Sequence, residues 1–175
     1  MDNPDRKFEY VDGQVFEMSG EMFEHSKIAV NLNREISAHL RRKVCQVVNS
    51  DIHVLPLGSD DPSYLPDITV TCNPEDYQRG SKAIRSPRLI VEVLSPSTTR
   101  IDRGEKRLAY QACPTMQEYV MASSQRQEVE VLRRGIEGEW EKTVYLAGET
   151  VQLLSIELRI AMSDIYEDTG ISPLD

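Results

Sequence analysis

Asp67, Glu92 and Lys106 are the residues of this chain whose types and settings could do chemistry. Glu92 lies inside the apolar run Leu89–Leu94, and a carboxylate there is costly to bury without a partner. Strand alternation puts Leu89, Val91 and Val93 on one face and Glu92 on the other with Ile90 and Leu94. Such a group calls for a cation, which could be a metal, an arginine or a lysine. Asp67 follows Pro66 at the head of the strand-like stretch 67–72, so it can approach Glu92 if the two strands are neighbours. Two carboxylates brought together repel unless something positive sits between them. A hard divalent ion with oxygen ligands meets that need. A buried ion pair with Lys106 or an arginine meets it without chemistry. Lys106 stands four residues after Asp102 and four before Tyr110, a spacing that puts all three on one helical face. Asp102 reads first as an N-cap, with Glu105 completing a capping box. Tyr110 reads as a packing residue whose hydroxyl supports Lys106 or Asp102. Glu21 and Glu24 suit the first turn of a helix as solvated acids or could add a carboxylate to the site.

The elements that must position these residues follow from pattern. Residues 8–20 read as a hairpin turning at Asp12-Gly13. Met22, Ile28, Leu32, Ile36 and Leu40 recur at helical spacing and predict a helix over Met22–Arg42. Short strands are expected over 44–49, 51–57 and 67–72, and a loop over 58–66. Residues 73–87 are polar and turn-rich and read as a mobile loop. The near-continuous apolar run from 88 to 94 suggests a central strand. A helix over Asp102–Ala112 follows, stopped by Pro114. Strands over 117–123, 127–134 and 139–147 come next, then an apolar tail with a helical stretch ending near Glu167. The fold class is therefore α/β (α+β): one mixed sheet, a long N-terminal helix and a shorter crossover helix. A single domain over 1–175 is expected, with its core over about 8–165.

The chain has 175 residues and a formal net charge of -9, from 20 Lys and Arg against 29 Asp and Glu. That balance argues against a protein that coats nucleic acid indiscriminately. Locally the pattern reverses. Arg79, Lys82, Arg85, Arg88, Arg100, Arg103, Lys106 and Arg107 cluster in an otherwise acidic chain, and such a patch can contact phosphates. Cys45, Cys72 and Cys113 form no CxxC pair and read as reduced thiols in a cytoplasmic protein. The polar N-terminus predicts no signal peptide, and no run predicts a membrane span.

The motifs taken in order resemble one family. Tyr64-Leu65-Pro66-Asp67 before Ile68-Thr69-Val70, the run Pro87 to Thr98 around Glu92, and Asp102-x3-Lys106-x3-Tyr110 are similar to the signature of the Uma2 family (DUF820). That family is a branch of the PD-(D/E)xK nuclease superfamily, with a restriction-endonuclease-like fold. Tyr10-Val11-Asp12-Gly13, Glu17-Met18-Ser19, His25 and Glu118-Tyr119-Val120 resemble further parts of its pattern. The resemblance implies a Mg²⁺- or Mn²⁺-dependent endonuclease that hydrolyses phosphodiester bonds in DNA. Asp67, Glu92 and the Val93 carbonyl would hold the ion, and Asp67, Glu92 and Lys106 would form the catalytic set. His25, Asp102 and Tyr110 would support them, although His25 could equally be a packing or capping residue. The superfamily's usual lysine, two residues after the glutamate, is Leu94 here, and the resemblance moves that role to Lys106. A nuclease-fold protein that binds nucleic acid or a protein partner without cleaving is the alternative. A nucleotide or phosphate hydrolase unrelated to DNA is a further one, though no GxxxxGK[ST] loop is present. A homodimer is expected, because the strands after residue 127 leave an edge that needs covering.

Overall fold

The computed structural model describes residues 7–11, 14–18, 22–55 and 64–173, the first two stretches as backbone only. Strands β1 (Lys7–Val11) and β2 (Gln14–Met18) pair antiparallel as the expected hairpin. Its Asp12-Gly13 turn lies outside the described residues, as do Glu21 and most of the expected loop over 58–66. Helix α1 (Phe23–Leu40) buries Ile28, Leu32, Ile36 and Leu40, the i, i+4 stripe that fills one face. It ends two residues before the expected boundary, where Arg42 takes a left-handed backbone (φ 64).

Strands β3 (Gln46–Asn49), β4 (His53–Val54), β5 (Ile68–Thr71), β6 (Ala83–Ile84) and β7 (Pro87–Leu94) follow. The strand expected over 51–57 is reduced to β4, which pairs parallel with β6. The loop over 73–87 is therefore partly structured. Buried Asp76 pins it by accepting the Thr71 hydroxyl at 2.7 Å and the amides of Arg85 and Ser86 at 2.8 and 3.0 Å. Cys45 and Cys72 were expected as separate thiols. The antiparallel register of β3 on β5 carries them opposite each other, and they form a disulfide, leaving Cys113 free and buried.

The next element corrects the expected helix. Helix α2 (Thr99–Ile101) runs into a π-helical turn over Asp102–Lys106 and then into α3 (Arg107–Ala112). Strands β8 (Glu118–Ser123), β9 (Glu128–Arg134) and β10 (Trp140–Leu146) then form a meander. The tail folds as a second hairpin, β11 (Thr150–Leu153) with β12 (Leu158–Ala161), closed by a 3₁₀ turn and followed by α4 (Met162–Ile165). No Gly or Asn announces that turn; Glu157 supplies its left-handed residue (φ 57).

Six strands make the central sheet in the order β10-β9-β8-β7-β5-β3, with only β7 and β8 parallel. The connection between those two is the α2–α3 segment, as a parallel pair requires a crossover. On one face α1, the β11–β12 hairpin and α4 pack against Ile68, Val70, Leu89, Val91, Val93 and Val120. On the other, Tyr110, Cys113 and Met116 pack against Ile90, Leu94, Tyr119, Met121 and Leu132. The fold is thus a mixed sheet with a long N-terminal helix on one side and a crossover helical segment on the other. Glu118, fully buried in β8, accepts from Arg133 and from the amides of Leu154 and Ser155, and so ties the C-terminal hairpin to the sheet. Among the described residues no helix is long and apolar enough to cross a membrane.

Candidate functional site

Asp67 and Glu92 are brought together by register. Strand β5 runs antiparallel to β7 with Ile68 opposite Val91, so the next step of the ladder sets Asp67 opposite Glu92. Asp67 comes just before the strand proper, and its Oδ2 accepts the Val93 amide at 2.7 Å. That bond aims the carboxylate along the β7 backbone. His25, in the second residue-pair of α1, brings its Nε2 to 3.5 Å from the same oxygen. Burial raises the pKa of Asp67; nearby His25, the Val93 amide and Lys106 oppose that rise, and Asp102 adds to it.

The centre is a compact charged group. Glu92, Asp102 and Lys106 are 4%, 1% and 4% exposed. The Lys106 Nζ lies 3.2 Å from Glu92 Oε1 and 3.2 Å from Asp102 Oδ1. Only the first contact has hydrogen-bond alignment, so Asp102 Oδ1 is buried without an aligned donor. The Tyr110 hydroxyl donates to Glu92 Oε1 at 3.2 Å. Among the described residues the Lys106 ammonium and the Tyr110 hydroxyl compensate the burial of these carboxylates, as buried charge requires.

The π turn explains how Asp102, Lys106 and Tyr110 share one side. Four residues of α-helix overshoot a full turn by about 40°. Four residues of the wider π turn undershoot by about 30°. The π step from Asp102 to Lys106 and the α step to Tyr110 nearly cancel, so all three side chains point at the sheet. Asp102 is accordingly not the N-cap expected from its spacing to Glu105. It sits inside the helical segment with its carboxylate turned inward.

One participant escaped the sequence reading. The Tyr119 hydroxyl donates to the Asp102 carbonyl at 3.0 Å, and its ring packs edge-on to Tyr110. A tyrosine inside an apolar strand gives no sign of what its hydroxyl will reach. Leu94, at the position of the superfamily's usual lysine, is buried in the core.

The expected basic patch divides in two. Arg79, Lys82, Arg85, Arg100 and Arg107 are exposed. Arg103 pairs with Glu130, Arg88 donates to the Ser155 carbonyl at 2.8 Å, and Lys106 is buried. Glu24 is half-buried in the first turn of α1. Among the described residues, no group of three or more His, Cys, Asp or Glu is arranged to hold a metal ion. The oxygens nearest to such a role are those of Asp67 and Glu92, with the unaligned Asp102 Oδ1 beside them. Two carboxylates completed by main-chain oxygen and water suit a hard ion such as Mg²⁺, which needs no all-protein cage.

Comparison with known proteins gives the family and the fold. The pattern of Uma2, described as "Putative restriction endonuclease", matches residues 1–163. Two proteins of Synechocystis sp. (strain ATCC 27184 / PCC 6803 / Kazusa), both named as uncharacterized, are similar over most of their length. The first, slr1290, is 37% identical over 160 residues, covering 91% of this chain and 83% of its own. The second, sll1609, is 26% identical over 148 residues, covering 84% of this chain and 82% of its own. A crystal structure of a "putative nuclease belonging to DUF820" from Anabaena variabilis ATCC 29413 superposes with a TM-score of 0.76 at 18% identity, covering 95% of this chain and 93% of that one. At that identity the likeness is one of fold.

Proposed function

The chain belongs to the Uma2 family, and from that premise we propose that it is a divalent-metal-dependent phosphodiesterase acting on DNA. The observation that carries the reading is the opposition of Asp67 and Glu92 on neighbouring strands, with Lys106 entering from the crossover segment. Asp67, Glu92 and the Val93 carbonyl are the groups that would hold Mg²⁺ or Mn²⁺. Such an ion supplies a water of lowered pKa and charge stabilisation at phosphorus. Glu92 and Asp102 meet at Lys106, and Asp67 stands opposite Glu92, a gathering of carboxylates that favours an added cation.

The chain's own residues have separate tasks. Lys106 neutralises charge that develops on the phosphoryl oxygens, a role that pays only if it is stronger in the transition state than before it. Tyr110 fixes the Glu92 carboxylate, and the Val93 amide with His25 fixes Asp67. Exposed Arg100 and Arg107, on the same crossover segment as Lys106, offer phosphate contacts of the kind that position a backbone without reading its sequence. A pair of copies would present one such centre to each strand of a duplex.

One pair of observations favours the alternative, a nuclease-fold protein that binds without cleaving. Leu94 replaces the usual lysine, and Lys106 is already engaged by Glu92 and Asp102. Incubation with plasmid, linear and single-stranded DNA in Mg²⁺, Mn²⁺ or EDTA separates the two. Metal-dependent cleavage that is lost in Asp67→Asn and Glu92→Gln supports the enzyme. DNA retention without cleavage in any metal supports the binder.

A further inference from the structure

The π turn that aligns Asp102 and Lys106 is a costly geometry. Helices rarely adopt it, and it recurs at functional sites because it turns a side chain where an α-helix would not. Something in the surroundings must hold it open against relaxation to α-helix. Among the described hydrogen bonds, none runs from these three side chains to the backbone of the turn. Asp102 and Lys106 point at the sheet and pair with each other, and Tyr110 reaches Glu92.

Among the described residues, the side chain that contacts it is Tyr119, whose hydroxyl lies 3.0 Å from the carbonyl of Asp102, the first residue of the turn. Tyr119 comes from β8, one of the two innermost strands of the sheet, and is fully buried. Its ring centroid lies 5.2 Å from that of Tyr110, which lies 5.3 Å from that of Tyr64, each pair edge-on. The hydroxyl is thus mounted on a buried ring packed edge-on against Tyr110, which Tyr64 backs in turn. A buried carbonyl held by such a donor is costly to move, because relaxation of the turn would break this hydrogen bond.

We propose that Tyr119 is a positioning residue of the site: through the Asp102 carbonyl it holds the π turn that aims Lys106 at Glu92. Relaxation to α-helix would swing Lys106 by about 70° relative to Asp102. The ammonium would then leave the carboxylate it now touches at 3.2 Å. Tyr119 does not itself reach Asp67 or Glu92 in this arrangement, so it affects turnover through Lys106 and leaves the carboxylates in place. Its catalytic consequence rests on the nuclease reading, whereas its hold on the turn does not.

Tyr119→Phe removes the hydroxyl and keeps the ring. Hydrogen exchange of the intact chain tests the hold directly. Amides from Asp102 to Arg107 should exchange at least tenfold faster in Y119F, with those of β8 and β7 unchanged. Calorimetric titration with Mn²⁺ should give an affinity within about twofold of wild type, while kcat for DNA cleavage falls ten- to a hundredfold at nearly constant KM. Added to Lys106→Met, Y119F should cause no further loss of turnover, because both changes remove the same group from its place. A variant that merely loosens the core would instead speed exchange across β8 and add its loss to that of K106M. Unchanged exchange in the turn overturns the proposal, as does faster exchange with full turnover. A wild type that cuts no DNA overturns the nuclease reading, and the exchange result then decides the role of Tyr119 by itself.

Discussion

Lys106→Met offers the sharpest stability test of the charged centre. The change keeps the length and apolar stem of the side chain and deletes the ammonium. Glu92 and Asp102, 4% and 1% exposed, then lose the ammonium that each now touches at 3.2 Å. Removing one partner of a buried pair while leaving the other charged costs about 3–5 kcal/mol. Almost no solvent reaches these groups, so screening does little to reduce that figure. In a chain of 175 residues, each kcal/mol moves the midpoint by about 2–4 °C. K106M should therefore lower Tm by about 6–20 °C. Glu92→Gln acts on the same contact with a different outcome. Lys106 keeps Asp102 at 3.2 Å, and the amide oxygen can still accept from Tyr110. The cost is that of one weakened hydrogen bond, up to about 1.5 kcal/mol, and lost carboxylate repulsion offsets part of it. Scanning calorimetry in EDTA at pH 7.5 measures both. A K106M midpoint within about 2 °C of wild type, or E92Q less stable than K106M, would refute the reasoning.

Two further perturbations have signs fixed by the structure. Burial raises the pKa of Asp67 in the folded state, so between its ordinary and raised values the folded chain binds more protons and stability falls as pH rises. Asp67→Asn removes that penalty, so in EDTA it should raise Tm most at pH 7–8, and the gain should shrink towards pH 4; a gain that grows on acidification contradicts the assignment. The Cys45–Cys72 disulfide spans 27 residues, and closing a loop of that size stabilises by about 3–4 kcal/mol in the chain-entropy account. Dithiothreitol, or the double variant C45S/C72S, should lower Tm by about 6–15 °C; identical scans with and without reductant would contradict it.

The parts of the fold legible in the sequence were those where one interaction dominates the pattern. The stripe Ile28, Leu32, Ile36, Leu40 located α1, and the apolar run around Glu92 located a central strand, because burial dictates both. The same run made Glu92 conspicuous, since a charge among Leu, Ile and Val has to be compensated. The compensation itself was open between a metal, favoured by the pairing with Asp67, and an ion pair with an arginine or lysine, and the geometry sets Lys106 on Glu92. What the pattern hid was set by tertiary contacts. The spacing of Asp102 to Glu105 imitates a capping box, but the helical segment begins at Thr99 and turns Asp102 inward. The reach of Tyr119 to the Asp102 carbonyl depends on how a helix lies across a strand. The pairing of Cys45 with Cys72 depends on the register of β3 against β5. The hairpin of β11 and β12 turns through Glu157, a residue with no particular leaning towards a left-handed backbone.

Calorimetric titration of Mn²⁺ into the wild-type chain, beside Asp67→Asn and Glu92→Gln, tests the central claim most directly. One ion should bind per chain, with an affinity that falls at least tenfold in each variant, while K106M, which removes no ligand, should bind at least as well as wild type. Equal affinity in wild type, D67N and E92Q, or no saturable binding in any of them, would contradict a metal site built on these two carboxylates.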